Sequence, residues 1–370
     1  MRVTLISKAC VVGAYQTKLE EIAAHQDVEL TVVVPPYWRE GDRRLVLERS
    51  HTRGYELIVV PMAFNGSFHL HYYPTLPDIL ARSRPDIVHM DEEPYNLSTY
   101  LAVRAAARQG ARTVFFTWQN LKRRYPPPFR QMERWVYRHV HAAIAGNREA
   151  VEVLRDKGYT GPVHVIPQFG VDPDLFCPQQ IPRHDTAFTV GYAGRLVEQK
   201  GLRILVAALE TMESDWRLLI CGSGPLRKEI ETRLASRGLA GRVRFCEQVP
   251  SGEMPQYLGA MDVLVLPSLT RPNWKEQFGR VLIEAMACGV PVIGSNSGEI
   301  PHVIGNGGLV VPEGDATALR DALEALRVDP IRRARMGHLG RERVLAHYTQ
   351  ARIAAETVAL YRDLAAAAVS

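Results

Sequence analysis

Short apolar runs alternate along this chain with longer stretches in which apolar residues recur at helical spacing. The apolar runs predict buried strands, and the periodic stretches predict helices that cover them. The predicted strands lie at 3–6, 30–34, 57–60, 87–89, 113–116, 142–145 and 163–166, and then at 188–193, 217–220, 243–245, 263–266, 291–293 and 309–311. This alternation is typical of parallel sheets with helices on both faces, which bind ligands beyond the carboxyl ends of their strands.

The alternation is interrupted once, at a polar stretch with two prolines, residues 177–186, and then restarts. We interpret this stretch as a linker between two doubly wound domains. The first domain is predicted over 1–176 and the second over 177–349. A last predicted helix begins at 350, after the second domain is complete, so we expect residues 350–370 to pack on the first domain.

The composition agrees with this division and excludes several classes of protein. A length of 370 residues suits two domains of roughly 150 residues or more each. No apolar run approaches the roughly 18 residues of a membrane-spanning helix, and the first strand begins at once, so no signal peptide is visible. The five cysteines are scattered without a C-x-x-C pair, which favours reduced thiols and a cytoplasmic location.

The positive charge of the chain is concentrated in one region. The net charge is +5, and residues 101–150 hold 10 lysines and arginines against 2 acidic residues. Within this region, the segment 122–141 combines basic and aromatic residues with three consecutive prolines. Such a segment can contact an anionic membrane, a phosphate-bearing acceptor or nucleic acid, or it can be a core-packed helix with a basic outer face.

The segment 276–291 carries two carboxylates, Glu276 and Glu284, around a predicted helix. Free backbone N–H groups and the helix dipole make the N-terminus at Gly279 a candidate anion site. Gly289 is placed as the C-terminal cap. The apolar side of this helix is predicted to consist of Val281, Leu282, Ala285, Met286 and Cys288. A surface helix with an acidic residue at each end is the alternative interpretation.

Two further loops of the second half have residues suited to phosphate binding. The loop GYAGR at 191–195 offers Gly194 for close approach and Arg195 for bidentate contact, and Lys200 follows as a point charge. A second glycine-rich turn, CGSGP at 221–225, contains Gly222. It lacks the third glycine of a dinucleotide-binding fingerprint, and the chain has no P-loop sequence.

The first half offers weaker signals at its predicted strand ends. Gly13 follows the first strand and would let backbone approach a phosphate, although a plain turn is the better explanation of this glycine taken alone. Asp91, Glu92 and Glu93 follow the fourth strand. These acids can orient sugar hydroxyls or act as a base, or they can stabilise the start of the next helix. His89 is interpreted as a hydrogen-bonded core residue.

Together these stretches resemble the retaining glycosyltransferases of family 4. The resemblance rests on GYAGRLVEQKG (191–201), CGSGP (221–225), EQFGRVLIEAMACGVPV (276–292) and GGLVVPEGD (307–315), supported by YTQARIAAETVALYRDL (348–364). It implies the GT-B fold, in which two Rossmann-like domains face a central cleft and the C-terminal helix crosses back to the N-terminal domain.

The resemblance also implies roles for individual residues. Arg195 and Lys200 would bind the donor diphosphate, and Glu276 would lie beside the transferred sugar, so these three are the predicted catalytic residues. Glu284 would bind the ribose, and Gly13 would meet the diphosphate from the first domain. The remaining predicted donor-binding residues are Gly194, Gly222, Val249, Gln277, Phe278, Gly279 and Val281.

The first domain departs from the family pattern. Gln119 stands in the run Thr117-Trp118-Gln119, where many members have a histidine, and only Gly13 remains of a usual glycine pair. The predicted acceptor-side residues are Glu92, Glu93 and Gln119.

The function implied by the resemblance is retaining transfer of a sugar from a UDP-, GDP- or ADP-sugar to a hydroxyl acceptor. No metal or other cofactor is required and no nucleic-acid partner is expected. Glycolipid or polysaccharide synthesis, with peripheral contact at the inner face of an anionic membrane, would suit the basic region. The alternatives are a nucleotide-sugar epimerase or hydrolase on the same fold, and a nucleotide-sugar-binding protein without transfer activity.

Overall fold

A computed structural model describes residues 1–179, 187–247 and 249–369 of the chain. It divides into two compact units, which we call unit 1 (Met1–Phe169 with Gln350–Ser370) and unit 2 (Gly170–Thr349). Most of the predicted linker at 177–186 lies outside the described residues. The predicted domain boundary between 176 and 177 stays a prediction.

Unit 1 is built on a seven-stranded parallel sheet of order β5-β2-β1-β6-β7-β8-β9. The strands of unit 1, of which β3 and β4 form a separate two-stranded sheet, are β1 (Arg2–Ile6), β2 (Glu29–Val34), β3 (Tyr37–Glu40), β4 (Arg43–Val46), β5 (Glu56–Val59), β6 (Ile87–Met90), β7 (Arg112–Thr117), β8 (Ala142–Ala145) and β9 (Val163–Val165). Its helices are α1 (Thr17–Ala23), α2 (Leu76–Ser83), α3 (Leu97–Arg108), α4 (Phe129–His139) and α5 (Arg148–Asp156), with 3₁₀ turns at Ala9–Val11 and Gly13–Tyr15. The antiparallel hairpin of β3 and β4 was not predicted, and its turn contains Gly41 at φ 59°.

Unit 2 has a six-stranded parallel sheet of order β12-β11-β10-β13-β14-β15. Its strands are β10 (Phe188–Ala193), β11 (Trp216–Cys221), β12 (Val243–Cys246), β13 (Val263–Leu266), β14 (Val292–Ser295) and β15 (Gly308–Val311). Its helices are α6 (Leu202–Glu210), α7 (Arg227–Ser236), α8 (Met254–Gly259), α9 (Arg280–Ala287), α10 (Ile300–Ile304), α11 (Ala316–Val328) and α12 (Pro330–His347), with 3₁₀ turns at Glu198–Lys200 and Ala240–Arg242. The short helix α10 was not predicted.

The last helix, α13 (Gln350–Val369), belongs to unit 1, as the sequence predicted. It packs against α1 and contributes Ile353, Val358 and Tyr361 to the core between these two helices and the sheet of unit 1. The Tyr361 hydroxyl lies 2.6 Å from Nδ1 of His89, which is 2% exposed. Burial lowers the pKa of His89 to about 4, so this histidine is a neutral core residue.

Each sheet has one point at which the strand order reverses direction. In unit 1 this switch point lies between β1 and β6, and in unit 2 it lies between β10 and β13. At such a point the loops that follow the two neighbouring strands turn toward opposite faces of the sheet. The crevice between these loops, beyond the carboxyl ends of the strands, is where open parallel sheets bind ligands. The topology therefore indicates two candidate ligand sites, one in the loops after β1 and β6 and one in the loops after β10 and β13.

Candidate functional site

The switch point of unit 2 brings together the loops that carry the predicted catalytic residues. Arg195 and Lys200 follow the carboxyl end of β10, and Glu276 lies in the connection from β13 to α9. Because β10 and β13 are hydrogen-bonded neighbours, these loops emerge side by side. The positions are far apart in sequence, and the parallel register places them at one edge of the sheet.

Lys200 and Glu276 form a close ion pair at this edge. Lys200 Nζ lies 2.6 Å from Glu276 Oε2, and the Ser268 hydroxyl donates to the same oxygen at 2.8 Å. Glu276 is 6% exposed. The Lys200 ammonium also lies 5.2 Å from the centre of the Trp274 ring. Sequence reasoning missed Ser268 and Trp274, because neither belongs to a motif that signals anion or sugar binding.

Arg195 is the exposed cation of the site. Its backbone carbonyl is held by the Tyr192 hydroxyl at 2.8 Å, which anchors the start of the loop. Within the described ranges, no carboxylate lies at ion-pair distance from its guanidinium. Arg195 therefore presents donors that an incoming anion can use, whereas one of the three donors of Lys200 is already used by Glu276.

The glycines of the two phosphate-type loops have a packing role in the structure. A Cβ on Gly222 would lie 2.1 Å from the carbonyl oxygen of Gly194, and one on Gly224 would lie 2.5 Å from that of Leu196. The Leu196 amide also donates to the carbonyl of Ser223 at 2.9 Å. The loops after β10 and β11 thus pack backbone against backbone. Donor contact by Gly194 and Gly222 stays a prediction.

Helix α9 begins and ends as the sequence predicted. Gly279 stands before it at φ 79°, and no side chain caps its N-terminus. At the other end Gly289 has φ 74° and donates to Met286, while Val290 donates to Ala285, which is a Schellman motif. The prediction of one apolar side was incomplete, because Ile283 and Ala287 on other faces are also fully buried. The helix is enclosed rather than lying on the surface.

Glu284 is buried on α9 and paired with an arginine that sequence reasoning missed. Its Oε1 accepts from Arg280 Nε at 2.7 Å, one turn earlier in the helix. Burial raises the pKa of Glu284, and the Arg280 guanidinium opposes this shift. The i, i+4 spacing of the two residues was the available signal.

The other predicted donor-binding residues of unit 2 differ in exposure. Gln277 is exposed, and Val249 and Val281 are half-buried. Phe278 is 5% exposed and packs edge-on against Tyr348, with ring centres 5.8 Å apart. The Phe278 side chain therefore holds the start of α9, and only its backbone is a candidate for ligand contact.

Gly13 contacts Glu48 and Ser50, which lie in unit 1 like Gly13 itself. Its amide donates to Glu48 Oε2 at 2.6 Å, and an added Cβ would lie 2.3 Å from Ser50 Oγ. The glycine is thus needed for local packing. Its predicted contact with a donor diphosphate stays a prediction.

Glu92 lies at the switch point of unit 1 in a buried charged cluster. Lys8 Nζ is 3.0 Å from Glu92 Oε2, and His71 contacts the same oxygen. Burial opposes ionisation, yet the charges of His71 and Lys8 lower the pKa of Glu92 to about 2. Its 2% exposure favours a structural ion pair over contact with an acceptor.

Glu93 connects two strand ends of unit 1. Thr117 Oγ1 donates to one carboxylate oxygen at 2.5 Å, and the Trp118 amide donates to the other at 2.8 Å. Burial raises the pKa of Glu93 to about 7, although both hydrogen bonds oppose the shift. Helix α3 begins at Leu97, and neither Glu92 nor Glu93 caps it with a side chain.

Gln119, which stands where the family histidine is expected, is 8% exposed and fully engaged. Its Nε2 donates to the Tyr125 hydroxyl at 3.1 Å, and its Oε1 accepts from Lys157 at 3.0 Å. Lys157 also pairs with Glu133 on α4. An amide can join this chain of donors and acceptors without changing charge. The acceptor-side roles of Glu92, Glu93 and Gln119 stay predictions.

The described residues contain neither a cluster of side chains suited to a metal ion nor a helix suited to spanning a membrane. Among residues 1–179, 187–247 and 249–369, there is no group of three or more histidine, cysteine, aspartate or glutamate side chains arranged to hold a metal ion. In the same part of the chain, no helix is both long and apolar enough to cross a membrane.

Family comparisons cover both halves of the chain. The family described as "Glycosyltransferase Family 4" matches residues 16–175, and "Glycosyl transferases group 1" matches residues 177–343. The alpha-maltose-1-phosphate synthase of Mycolicibacterium smegmatis is 30% identical over 269 residues, which is 64% of this chain and 67% of that protein. A GDP-mannose-dependent alpha-(1-6)-phosphatidylinositol monomannoside mannosyltransferase of the same organism is 34% identical over 194 residues, which is 48% of this chain and 51% of that protein. The chain thus spans between half and two thirds of these curated relatives.

Solved structures show the same fold across the whole chain. Sucrose-phosphate synthase from Thermosynechococcus elongatus has a TM-score of 0.74 at 24% identity and covers 99% of this chain and 100% of its own. Anabaena Alr3699/HepE in complex with UDP has a TM-score of 0.75 at 17% identity, with coverage of 98% and 100%. At these identities the likeness concerns the fold alone.

Proposed function

Because the chain belongs to the group 1 glycosyltransferases of family 4, we propose that the unit 2 switch point binds the diphosphate of a UDP-, GDP- or ADP-sugar. The sugar is transferred with retention to a hydroxyl acceptor. The observation that carries the proposal is the exposed Arg195 guanidinium, which has no carboxylate at ion-pair distance within the described ranges. Arg195 lies with Lys200 in the loop after β10, and the neighbouring loop carries Glu276, the partner of Lys200.

The chemistry at this site is stabilisation of a leaving group. When the bond between the anomeric carbon and the diphosphate oxygen breaks, negative charge grows on the diphosphate. Arg195, Lys200 and the uncapped N-terminus of α9 neutralise that charge. These groups also supply the charge that a metal ion would otherwise provide. We therefore expect kcat/KM to be unchanged by excess EDTA, and a loss restored by magnesium would contradict this.

Glu276 serves as a positioning residue for Lys200 in this proposal. The acceptor oxygen attacks on the face from which the diphosphate leaves, and its proton passes to a leaving phosphate oxygen. The alternative role for Glu276 is a covalent nucleophile. A carboxylate oxygen that accepts from both Lys200 and Ser268 is a weak nucleophile, which favours the first role.

Glu284 completes the donor site by accepting hydrogen bonds from the ribose hydroxyls. It lies on the second turn of the helix whose N-terminus faces the phosphate, and its buried carboxylate is held in place by Arg280. A carboxylate that is held in place on the second turn of a helix, behind a phosphate site at the N-terminus of that helix, suits a nucleotide sugar.

A thermal-shift screen of nucleoside diphosphates and their sugars tests the donor assignment. A ligand of the folded state raises stability by RT ln(1 + [L]/Kd), so the correct donor stands out from the others. The Arg195→Ala variant should then lose about 2.7–4 kcal/mol of transition-state stabilisation. Wild-type kcat/KM in that variant would refute the assignment.

Turnover with the selected donor separates the alternatives. Transfer with retention, seen by NMR of the product, supports the proposal. Donor conversion without an acceptor would identify an epimerase or hydrolase. Donor binding without turnover against an acceptor library would identify a binding protein.

We further propose a sugar hydroxyl of a glycolipid or polysaccharide as acceptor, with unit 1 in peripheral contact with anionic membrane. The support is the exposed basic face of α4, where Arg130, Arg134 and Arg138 are all exposed. The aromatic residues of the segment are not available as anchors, because Trp135 packs on His139 and Tyr100. The contact should therefore be electrostatic, and binding to phosphatidylglycerol vesicles that persists at high salt would contradict it.

A further inference from the structure

Unit 1 contains a pocket of about 300 Å³ whose walls are mostly basic. It lies between the loop before α4, the first half of α4 and the end of α5. We call it the basic pocket, and its cations are Lys122, Arg123, Arg124, Arg130, Arg134 and Lys157.

The acidic residues of the basic pocket are already neutralised. Asp156 is paired with Lys122 at 2.8 Å, and Glu133 is paired with Lys157. Arg124, Arg130 and Arg134 are exposed, and within the described ranges none of the three has a carboxylate at ion-pair distance. The internal pairs therefore leave at least three positive charges around one concavity.

The basic pocket is joined by hydrogen bonds to the strand-end residue Gln119. Tyr125 and Lys157 line the pocket, and both contact the Gln119 amide, at 3.1 Å and 3.0 Å. Gln119 comes two residues after the carboxyl end of β7, on the side of the sheet where ligands bind. A ligand group in the pocket is thus one side chain away from Gln119, which stands where many members of the family have a histidine.

Two side chains of the pocket wall, Tyr125 and Lys157, are held by contacts with aromatic rings. Tyr125 lies 4.1 Å from the Tyr95 ring, and the Lys157 ammonium lies 4.8 Å from the centre of Tyr125. A concave wall with several arginines suits a discrete tetrahedral anion, because a guanidinium group can bind two phosphate oxygens at once. A flat membrane surface requires no such concavity.

We propose that the basic pocket binds a phosphate ester group carried by the acceptor. The acceptor is then a phosphorylated sugar or polyol, either soluble or as the headgroup of a lipid. This inference rests on the proposed function only in calling the ligand an acceptor. The phosphate site itself stands on the residues of the pocket.

The site is tested with inorganic phosphate as probe, titrated against the full chain by ³¹P NMR. The test variant combines Arg124→Gln, Arg130→Gln and Arg134→Gln, all at exposed positions. The matched control is Arg82→Gln, an exposed arginine on α2 outside the pocket. Arg195→Gln serves as a second control, because it removes the cation of the proposed donor site.

We expect the triple variant to raise the Kd for phosphate at least about tenfold, since the loss of even one charge-assisted hydrogen bond changes affinity by about that factor. Arg82→Gln should leave Kd unchanged, and Arg195→Gln should retain the pocket component of binding. Equal binding in the wild type and the triple variant, with unchanged melting temperatures, overturns the inference. Because no donor is used, this result is independent of whether the donor assignment holds.

Competition then identifies the source of the phosphate. Displacement of phosphate by a hexose 1-phosphate, and not by the unphosphorylated hexose, assigns a soluble acceptor. Displacement by phosphatidylinositol vesicles, and not by phosphatidylcholine vesicles, assigns a lipid acceptor. At a salt concentration that screens the electrostatic membrane contact proposed for α4, equal displacement by phosphatidylglycerol vesicles or by a DNA duplex would show a non-selective basic face and overturn the inference.

Discussion

Replacing Lys200 with methionine tests whether the Lys200–Glu276 pair acts as one unit. The Lys200 ammonium lies 2.6 Å from a carboxylate that is only 6% exposed. Methionine keeps most of the length and volume of the side chain but removes the charge. The variant therefore leaves a nearly buried carboxylate without this cation.

The expected loss of stability follows from the burial of the pair. Removing one partner of a fully buried ion pair costs about 3–5 kcal/mol. The Lys200 side chain is 17% exposed, so water offsets part of the loss and we expect about 2–3 kcal/mol. For a unit of this size, that lowers Tm by roughly 4–12 °C. The double variant Lys200→Met with Glu276→Gln carries no uncompensated charge and should regain about half of the loss.

Donor affinity should follow the same pattern for a different reason. In the single variant, Glu276 keeps its negative charge next to the proposed diphosphate site, so repulsion adds to the lost contact. We expect Kd for the nucleoside diphosphate selected by the thermal-shift screen to rise at least about tenfold. The double variant should recover part of that affinity. Calorimetry of the four proteins of the cycle measures both quantities.

The control is a surface ion pair of the same length in the same unit. Arg203 lies 2.6 Å from Glu229, with side chains 40% and 44% exposed. Arg203→Met should cost less than about 1 kcal/mol. If the effects of Lys200→Met and Glu276→Gln add to within about 0.5 kcal/mol in the double variant, the residues do not form a coupled pair and the reasoning is wrong.

Three further predictions concern other parts of the two units. Glu284→Gln should weaken nucleotide binding about tenfold by calorimetry, because a charged acceptor becomes a neutral amide; equal affinity would exclude contact with the ribose. Gly201→Ala should cost about 2–4 kcal/mol, since its φ is 71° and the new Cβ would lie 1.7 Å from the carbonyl of Pro267. Gly241→Ala, with no atom within 4 Å of its Cβ, is the near-neutral control, and similar Tm values for the two would contradict this. Glu93 has a folded-state pKa of about 7 against 4.5 ordinarily, so its stabilising contribution is complete below pH 4.5 and is lost as pH rises through 7. Relative to Glu93→Gln, wild-type stability should fall by up to about 3 kcal/mol between pH 5 and 8, and a flat difference would refute the shift.

The elements of the fold were predictable wherever one period persists long enough. Helix α9 begins and ends at the predicted residues, because it combines a helical repeat with a glycine at each terminus. The hairpin of β3 and β4 and the five-residue α10 were missed. Their apolar patterns are too short to distinguish strand, helix and loop.

The side chains of the candidate site were predictable only where they lie in a recognisable motif. Arg195, Lys200 and Glu276 could be grouped because each follows a strand that a parallel sheet brings to one edge. Their partners could not, since Ser268 carries no distinctive signal. Likewise, the contact of Glu92 with Lys8 and His71 depends on three loops meeting, which no local pattern encodes.

The glycine-rich loops show why sequence motif and ligand contact must be tested separately. The sequence of the turn at 221–225 is suited to phosphate binding, yet its Gly222 and Gly224 are required because two loops pack backbone to backbone. Alanine at either position would damage the fold whether or not a donor binds there. Loss of activity in such variants therefore says nothing about phosphate contact. Arg195 is the better position for such a test, because its exposed guanidinium has no carboxylate at ion-pair distance within the described ranges. A loss of donor affinity in Arg195→Ala with an unchanged Tm can then be assigned to the ligand.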